Sequence, residues 1–176
     1  MIVAKLKQHD SDRLPFDEYD PKMALSAADS FYLAAERCNQ QEYIGDHFMW
    51  LPVPAIVNYA FACEVYMKAL LMEPGAKEIK GHNLLDLFDM LPNEMQMDIQ
   101  QTIDCSKSPF REMLTNTSDL FEECRYIYEY KSLRINLKFL QELSGSLKSV
   151  SHKKIISELI AQAFPSQSDP PPSPVP

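Results

Sequence analysis

The run PVPAIVNYAFACEVYMKALLM, from Pro52 to Met72, limits the possible folds more than any other part of this chain. It is apolar on almost every side, and only Asn58, Glu64 and Lys68 interrupt it. A helix that is apolar all round belongs in the middle of a fold, with other helices packed about it. Glu64 and Lys68 stand at i and i+4 and share a face. Such groups near a core need partners, so the run predicts a small internal polar site. It is long enough to suggest a membrane span. The two charges inside it and the prolines at its ends predict a core helix instead, and no membrane association.

The chain has 176 residues, 45% of them hydrophobic and 24% charged, enough for one domain with a sizeable core and no need of a disulfide or metal. The formal net charge of -8 excludes a surface that is basic throughout and grips nucleic acid without specificity. Cys38, Cys63, Cys105 and Cys124 form no C-x-x-C pair and mostly sit in apolar or helical patterns, so they read as core thiols. With no signal-peptide layout and no disulfide pattern, the expected location is the cytoplasm.

Asp20-Pro21 predicts a helix start, with Asp as N-cap and Pro in the first turn. Ala24, Ala27, Ala28, Phe31, Ala34, Ala35 and Cys38 recur behind it at helical spacing, giving a first helix over about 22–41. Asp29, Glu36 and Arg37 read as its solvated side. The connection from Glu42 to Leu51 holds Tyr43, Phe48 and Trp50 with a turn at Gly45-Asp46. It reads as an aromatic lid over the helix junction, with a stacking platform as the sharper alternative. After the central helix, Glu73-Pro74-Gly75 is a breaker. Gly81 and His82 introduce a short helix with Leu84, Leu85, Leu87, Phe88 and Leu91, stopped by Pro92. Asn93 caps a piece carrying Met95, Ile99 and Ile103. Ser108-Pro109 opens a helix with Phe110, Met113, Leu114, Phe121, Cys124 and Tyr128. A clear leucine stripe then runs over 132–150, and a last amphipathic segment carries Ile155, Ile156, Leu159, Ile160 and Phe164. Residues 1–19 are weakly patterned, and 165–176 form a Pro-rich tail that reads as disordered. The fold class is all-α: an antiparallel bundle of about five to six helices in one domain over 1–164, its core over 22–150.

Phosphate loops, zinc patterns, EF-hands and nucleophile elbows are absent, so no metal or cofactor is expected. What remains is polar residues in apolar settings. Glu64 and Lys68 lie on the central helix and His82 opens the short one. If one helix runs through FEECRYIYEYKSLR, then Glu122, Arg125 and Glu129 share a face that continues into the leucine stripe. A guanidinium held there needs carboxylates, and Glu64, Glu122 and Glu129 are the candidates. Lys131, Arg134 and Lys138 form a second set, read as solvated.

These residues resemble a known family. The segment from Asn58 to Pro92 is similar to the second and third helices of HEPN-domain proteins, small prokaryotic helical bundles. The shared pattern is Asn58, Ala60, Glu64, Tyr66, Lys68, Ala69 and Leu70, then Gly81, His82, Leu84 and Leu87. Ala27, Phe31, Ala34, Ala35 and Glu36 fit the first helix, and Arg125, Tyr126, Tyr128 and Glu129 the later one. The resemblance covers about 22–147 and implies a homodimer formed through the later helices. It also implies a setting in prokaryotic defence or toxin–antitoxin systems. Many members are metal-independent RNases that use an Arg, four to six residues, then a His. This chain has no such pair: Tyr130, Lys131 or Ser132 stands where His is expected after Arg125. Histidine titrates near neutrality and tyrosine near 10, so Tyr130 is a poor substitute as a proton carrier. The expectation is a non-catalytic module that binds a nucleotide, RNA or partner protein through Glu64, Lys68, His82, Arg125 and Glu129. A divergent RNase using Arg125 and Tyr130, His82 or Lys68, and a purely structural protein, are the rivals.

Overall fold

The computed structural model describes residues 19–72, 79–125, 129 and 135–163, without the side chains of Phe121, Glu122, Arg125, Gln162 and Ala163. The readings of the first eighteen residues and of the tail lie outside these, as do Lys131 and Arg134. The fold is all-α, as expected, with one small two-stranded sheet.

Helix α1, Pro21–Asn39, starts where the sequence puts it, because the Asp20 carboxylate accepts from the Lys22 N–H at 2.9 Å. It ends as Gln40 turns extended. A hairpin follows: β1, Glu42–Ile44, pairs antiparallel with β2, His47–Met49, in the register Tyr43↔Phe48. Gly45 takes φ 62°, which the first central place of a tight hairpin turn requires. The lid expectation fails here, since all six strand residues are exposed. A strand pair satisfies much of its own backbone, and this one is held to α1 chiefly by the Leu51 N–H on the Cys38 carbonyl (3.2 Å) and by Trp50 Nε1 on Asn39 (3.4 Å).

Helix α2, Pro52–Leu71, is the central one, and α1, α3, α6 and α7 all pack on it. Tyr59, Tyr66, Met67 and Leu70 on it are fully buried. No helix among the described residues is long and apolar enough to cross a membrane. The short helices α3 (Leu84–Met90), α4 (Asn93–Gln100), α5 (Phe110–Thr115) and α6 (Leu120–Arg125) then follow. Asn83 caps α3 by accepting from the Asp86 N–H at 3.0 Å, and Pro92, rather than Asn93, is the residue before α4.

The single helix expected from Ser108 onward is broken into α5 and α6 by a turn over 116–119. Buried Thr117 and Ser118 donate their hydroxyls back to the carbonyls of Met113 and Leu114 at 2.9–3.0 Å. Such bonds compete with helix continuation. Residues 126–128 and the side chains of Glu122 and Arg125 lie outside the described residues, and with them the expected shared face of Glu122, Arg125 and Glu129.

The last long element, α7, Leu137–Ala163, joins two segments the sequence separates. Asn136 starts it, its side chain accepting from the Phe139 N–H at 3.1 Å. Gly145 does not interrupt it. Phe139, Leu140, Leu143 and Leu147 line its buried side. The main core joins α1, α2, α3, α4, α5 and α7, with Phe110 between the rings of Phe88 and Phe139 at 5.0 and 5.7 Å. A smaller cluster joins Ala35, Ile56, Tyr59, Leu120 and Leu140. The four thiols are free: Cys63 and Cys124 are buried and Cys38 half-buried, but Cys105 is exposed in the α4–α5 link, where no helix face covers it.

Candidate functional site

Helix α2 carries Glu64 into the core, where the residue is 3% exposed. One helical turn on, Lys68 Nζ donates to Glu64 Oε1 at 2.8 Å. His82 Nδ1 lies 2.8 Å from the same oxygen. The two nitrogens are thus within twice that distance of each other. Backbone geometry sets up the second contact: Gly81 has φ 94°, a conformation open to glycine and rare for other residues, and it swings the chain so that His82 meets α2 just before α3 begins. The Ser118 carbonyl accepts from the Leu84 N–H at 3.1 Å and Asn83 donates to Asp119 at 2.9 Å, so the start of α3 is pinned to the α5–α6 turn.

The other carboxylate oxygen, Glu64 Oε2, is buried and has no hydrogen-bond partner among the described residues. Glu64 thus combines one oxygen serving two nitrogens with one serving none. Its partners reach outward, with side chains 20% (Lys68) and 54% (His82) exposed. A cavity of about 340 Å³ is lined by Lys80 and Gly81 before His82 and by Asn83, Asp86, Leu87, Asp89 and Met90 after it; Glu64, Lys68 and His82 themselves do not line it. Asp89 is gripped by both terminal nitrogens of Arg111 at 2.8 and 2.6 Å, and that hydrogen bonding holds its carboxyl below the ordinary range.

The structure therefore brings together Glu64, Lys68 and His82 from the expected set. Glu129 is exposed, and among the described residues no hydrogen bond or ion pair joins it to Glu64. The side chain of Arg125 and all of Tyr130 lie outside the described residues. No cluster of three His, Cys, Asp or Glu able to hold a metal occurs among the described residues.

A second polar assembly was missed. Asp29 and Glu36, expected on a solvated side, instead face α2 and α7. Tyr66 donates to Asp29 Oδ1 at 2.6 Å, and His152 Nε2 lies 3.0 Å from Asp29 Oδ2. Lys148 is 3.9 Å from Asp29 and stands over the Tyr32 ring at 4.6 Å. Seven residues along α1, Glu36 accepts a short hydrogen bond from Tyr59 and another from Gln141 at 3.2 Å. Burial raises Asp29, but the Tyr66 hydroxyl and the His152 and Lys148 groups outweigh it, and the net pKa is lowered. Burial, followed by the facing carboxylate, pushes both tyrosines well above the phenol range. Arg37, on the same helix, is exposed as expected. The available signal was the tyrosines: two phenols on an otherwise apolar helix require acceptors.

No family model matches the chain, and neither the curated proteins nor the solved structures hold a match.

Proposed function

We propose that this chain is a non-catalytic, HEPN-like interaction module that acts as a homodimer in a prokaryotic defence or toxin–antitoxin setting. Its binding centre is the Glu64, Lys68 and His82 group, and its ligand is a nucleotide or an RNA phosphate. One observation carries the reading: a buried carboxylate draws two outward-reaching nitrogens onto a single oxygen. An ordinary surface pair has no such supporting residue, and orientation of this kind is what gives a polar site its specificity. In this reading Lys68 and His82, both bonded to Glu64, meet one phosphate.

Titration calorimetry with ATP and with a short single-stranded RNA tests this. Lys68→Ala and His82→Ala are each expected to weaken binding by about tenfold, the loss of one charge-assisted hydrogen bond. Far-ultraviolet circular dichroism checks that both variants stay helical. Absence of binding by both probes, or equal binding by the variants, removes the proposal.

A second reading has its own support. A His82 ring whose Nδ1–H points at Glu64 has Nε2 as its basic nitrogen when neutral. That is the proton carrier that Tyr130 does not supply. RNA cleavage in EDTA that disappears in His82→Ala, with folding intact, would make the chain a divergent metal-independent RNase.

A further inference from the structure

A second cavity, of about 750 Å³, lies along α5, and neither Glu64, Lys68 nor His82 lines it. Its volume is within the range of small-molecule sites. Lys107 and Ser108, which precede α5, and Asn116 and Thr117, which follow it, all line the cavity, so it runs the length of that helix. Six residues at 1.5 Å each make that length about 9 Å. Ile135 and Asn136, just before α7, and Glu123, on α6, complete the lining with Met113.

The buried part of this lining is satisfied. Thr117 spends its hydroxyl on the carbonyls of Met113 and Leu114. The more open polar groups are not. Among the described residues, no hydrogen bond or ion pair engages the side chains of Lys107, Asn116 or Glu123. Asn136 accepts from the Phe139 N–H at 3.1 Å, but its Nδ2 meets only the Met113 sulfur, at 3.7 Å, a weak acceptor. The neighbouring charges are paired among themselves: Arg111 with Asp89, and Lys138 with Asp104 and Glu142. Lys107 and Glu123 stand apart from those pairs, one cation before α5 and one anion beyond its end.

The chemistry of an occupant follows from these two charges. A molecule in the cavity takes water from both, so it must return one partner of each sign. A phosphate suits Lys107 but brings a like charge to Glu123. A neutral sugar or base returns no charge to either. A single amino acid carries both signs, but its ammonium and carboxylate lie only about 3 Å apart, too close for a groove as long as α5. Three extended residues, at roughly 3.4 Å each, separate their end groups by about the length of that helix. Their peptide groups each offer a donor and an acceptor, which the amides of Asn116 and Asn136 complement. Such a molecule has no net charge, so the chain's net charge of -8 does not repel it. We propose that the α5 cavity binds a short zwitterionic peptide of about three residues, its carboxylate on Lys107 and its ammonium on Glu123. The site does not rest on the Glu64 centre and goes beyond the reading given above.

Calorimetric titration of the whole chain with the tripeptide Ala-Leu-Ala, up to about 5 mM, is the test. The free peptide is expected to bind, and its N-acetylated form and its C-terminal amide are each expected to bind about tenfold more weakly. Lys107→Ala is expected to weaken the free peptide by about tenfold and to lose the distinction between carboxylate and amide, while still rejecting the acetylated form. Glu123→Gln is expected to do the reverse. This crossed pattern assigns each end of the peptide to one residue, which a general loss of folding does not produce. Absence of binding by the free peptide overturns the proposal, as does equal binding by the capped peptides. A variant that weakens all three peptides equally, or none, overturns it too. Leucine alone binding as tightly as the tripeptide removes the peptide, and ATP binding that is lost in Lys107→Ala gives the cavity to a phosphate instead; either overturns the proposal.

Discussion

Phe139→Ala is expected to destabilise the fold by about 3–5 kcal/mol, the largest loss from any single truncation considered for this chain. Phe139 is 1% exposed and lies at the start of α7, where its ring meets Phe110, which in turn meets Phe88 on α3. The ring is thus a joint between the long helix and the short ones. Removing it forfeits the transfer energy of a full aromatic side chain and leaves a cavity that three helices cannot all close at once. Urea unfolding followed by circular dichroism measures it. A loss under about 1 kcal/mol would mean that the short helices repack freely, and that the site they position is not held rigidly.

The second large effect concerns Asp29. Asp29→Ala is expected to cost about 2 kcal/mol at neutral pH, because it strands the hydroxyl of a fully buried tyrosine. Asp29→Asn keeps an acceptor for Tyr66 and is expected to cost less, losing only the charge that faces His152 and Lys148. The two variants also differ in their dependence on pH. The folded pKa of Asp29 lies below its ordinary value of 3.8. A lowered carboxylate contributes stability that is present above the unfolded pKa and lost as pH falls through the folded one. The stability gap between wild type and Asp29→Asn should therefore be complete at neutral pH and close below about pH 4. A gap that persists unchanged into acid would show that the carboxylate's charge contributes nothing there.

Much of the bundle is legible in the sequence because its helix starts carry their own chemistry. Asp20-Pro21 starts α1 and Pro52 opens α2 within a residue of expectation, and the leucine stripe of α7 is buried as its spacing requires. The break between α5 and α6 was not legible. Thr117 and Ser118 look like ordinary polar residues until their hydroxyls are seen folding back on the preceding turn. Nor was the position of the hairpin. Aromatic residues suggest burial on average, but two strands of three residues have no buried face of their own. At the site, Glu64 and Lys68 could be paired from an i, i+4 spacing alone. That His82 meets the same oxygen was not legible, because the turn at Gly81 sets where it lands. Asp29 and Glu36 lie inward because the hydroxyls of Tyr66 and Tyr59, on an otherwise apolar helix, draw the two acids.

The paired acids and tyrosines have one more consequence. Asp29 meets Tyr66 and Glu36 meets Tyr59, so seven steps forward on α1 correspond to seven steps back on α2. Two marks on each of two sliding scales make a ruler. Sliding α1 by a single turn leaves both phenols without a carboxylate. Sliding it by two turns restores one match and strands the other acid and the other phenol, each at the cost of a buried polar group. The shorter acid at one mark and the longer at the other give the two ends different reach, so the scale cannot be read backwards. Greasy helices lined with alanine would otherwise glide past one another with little preference.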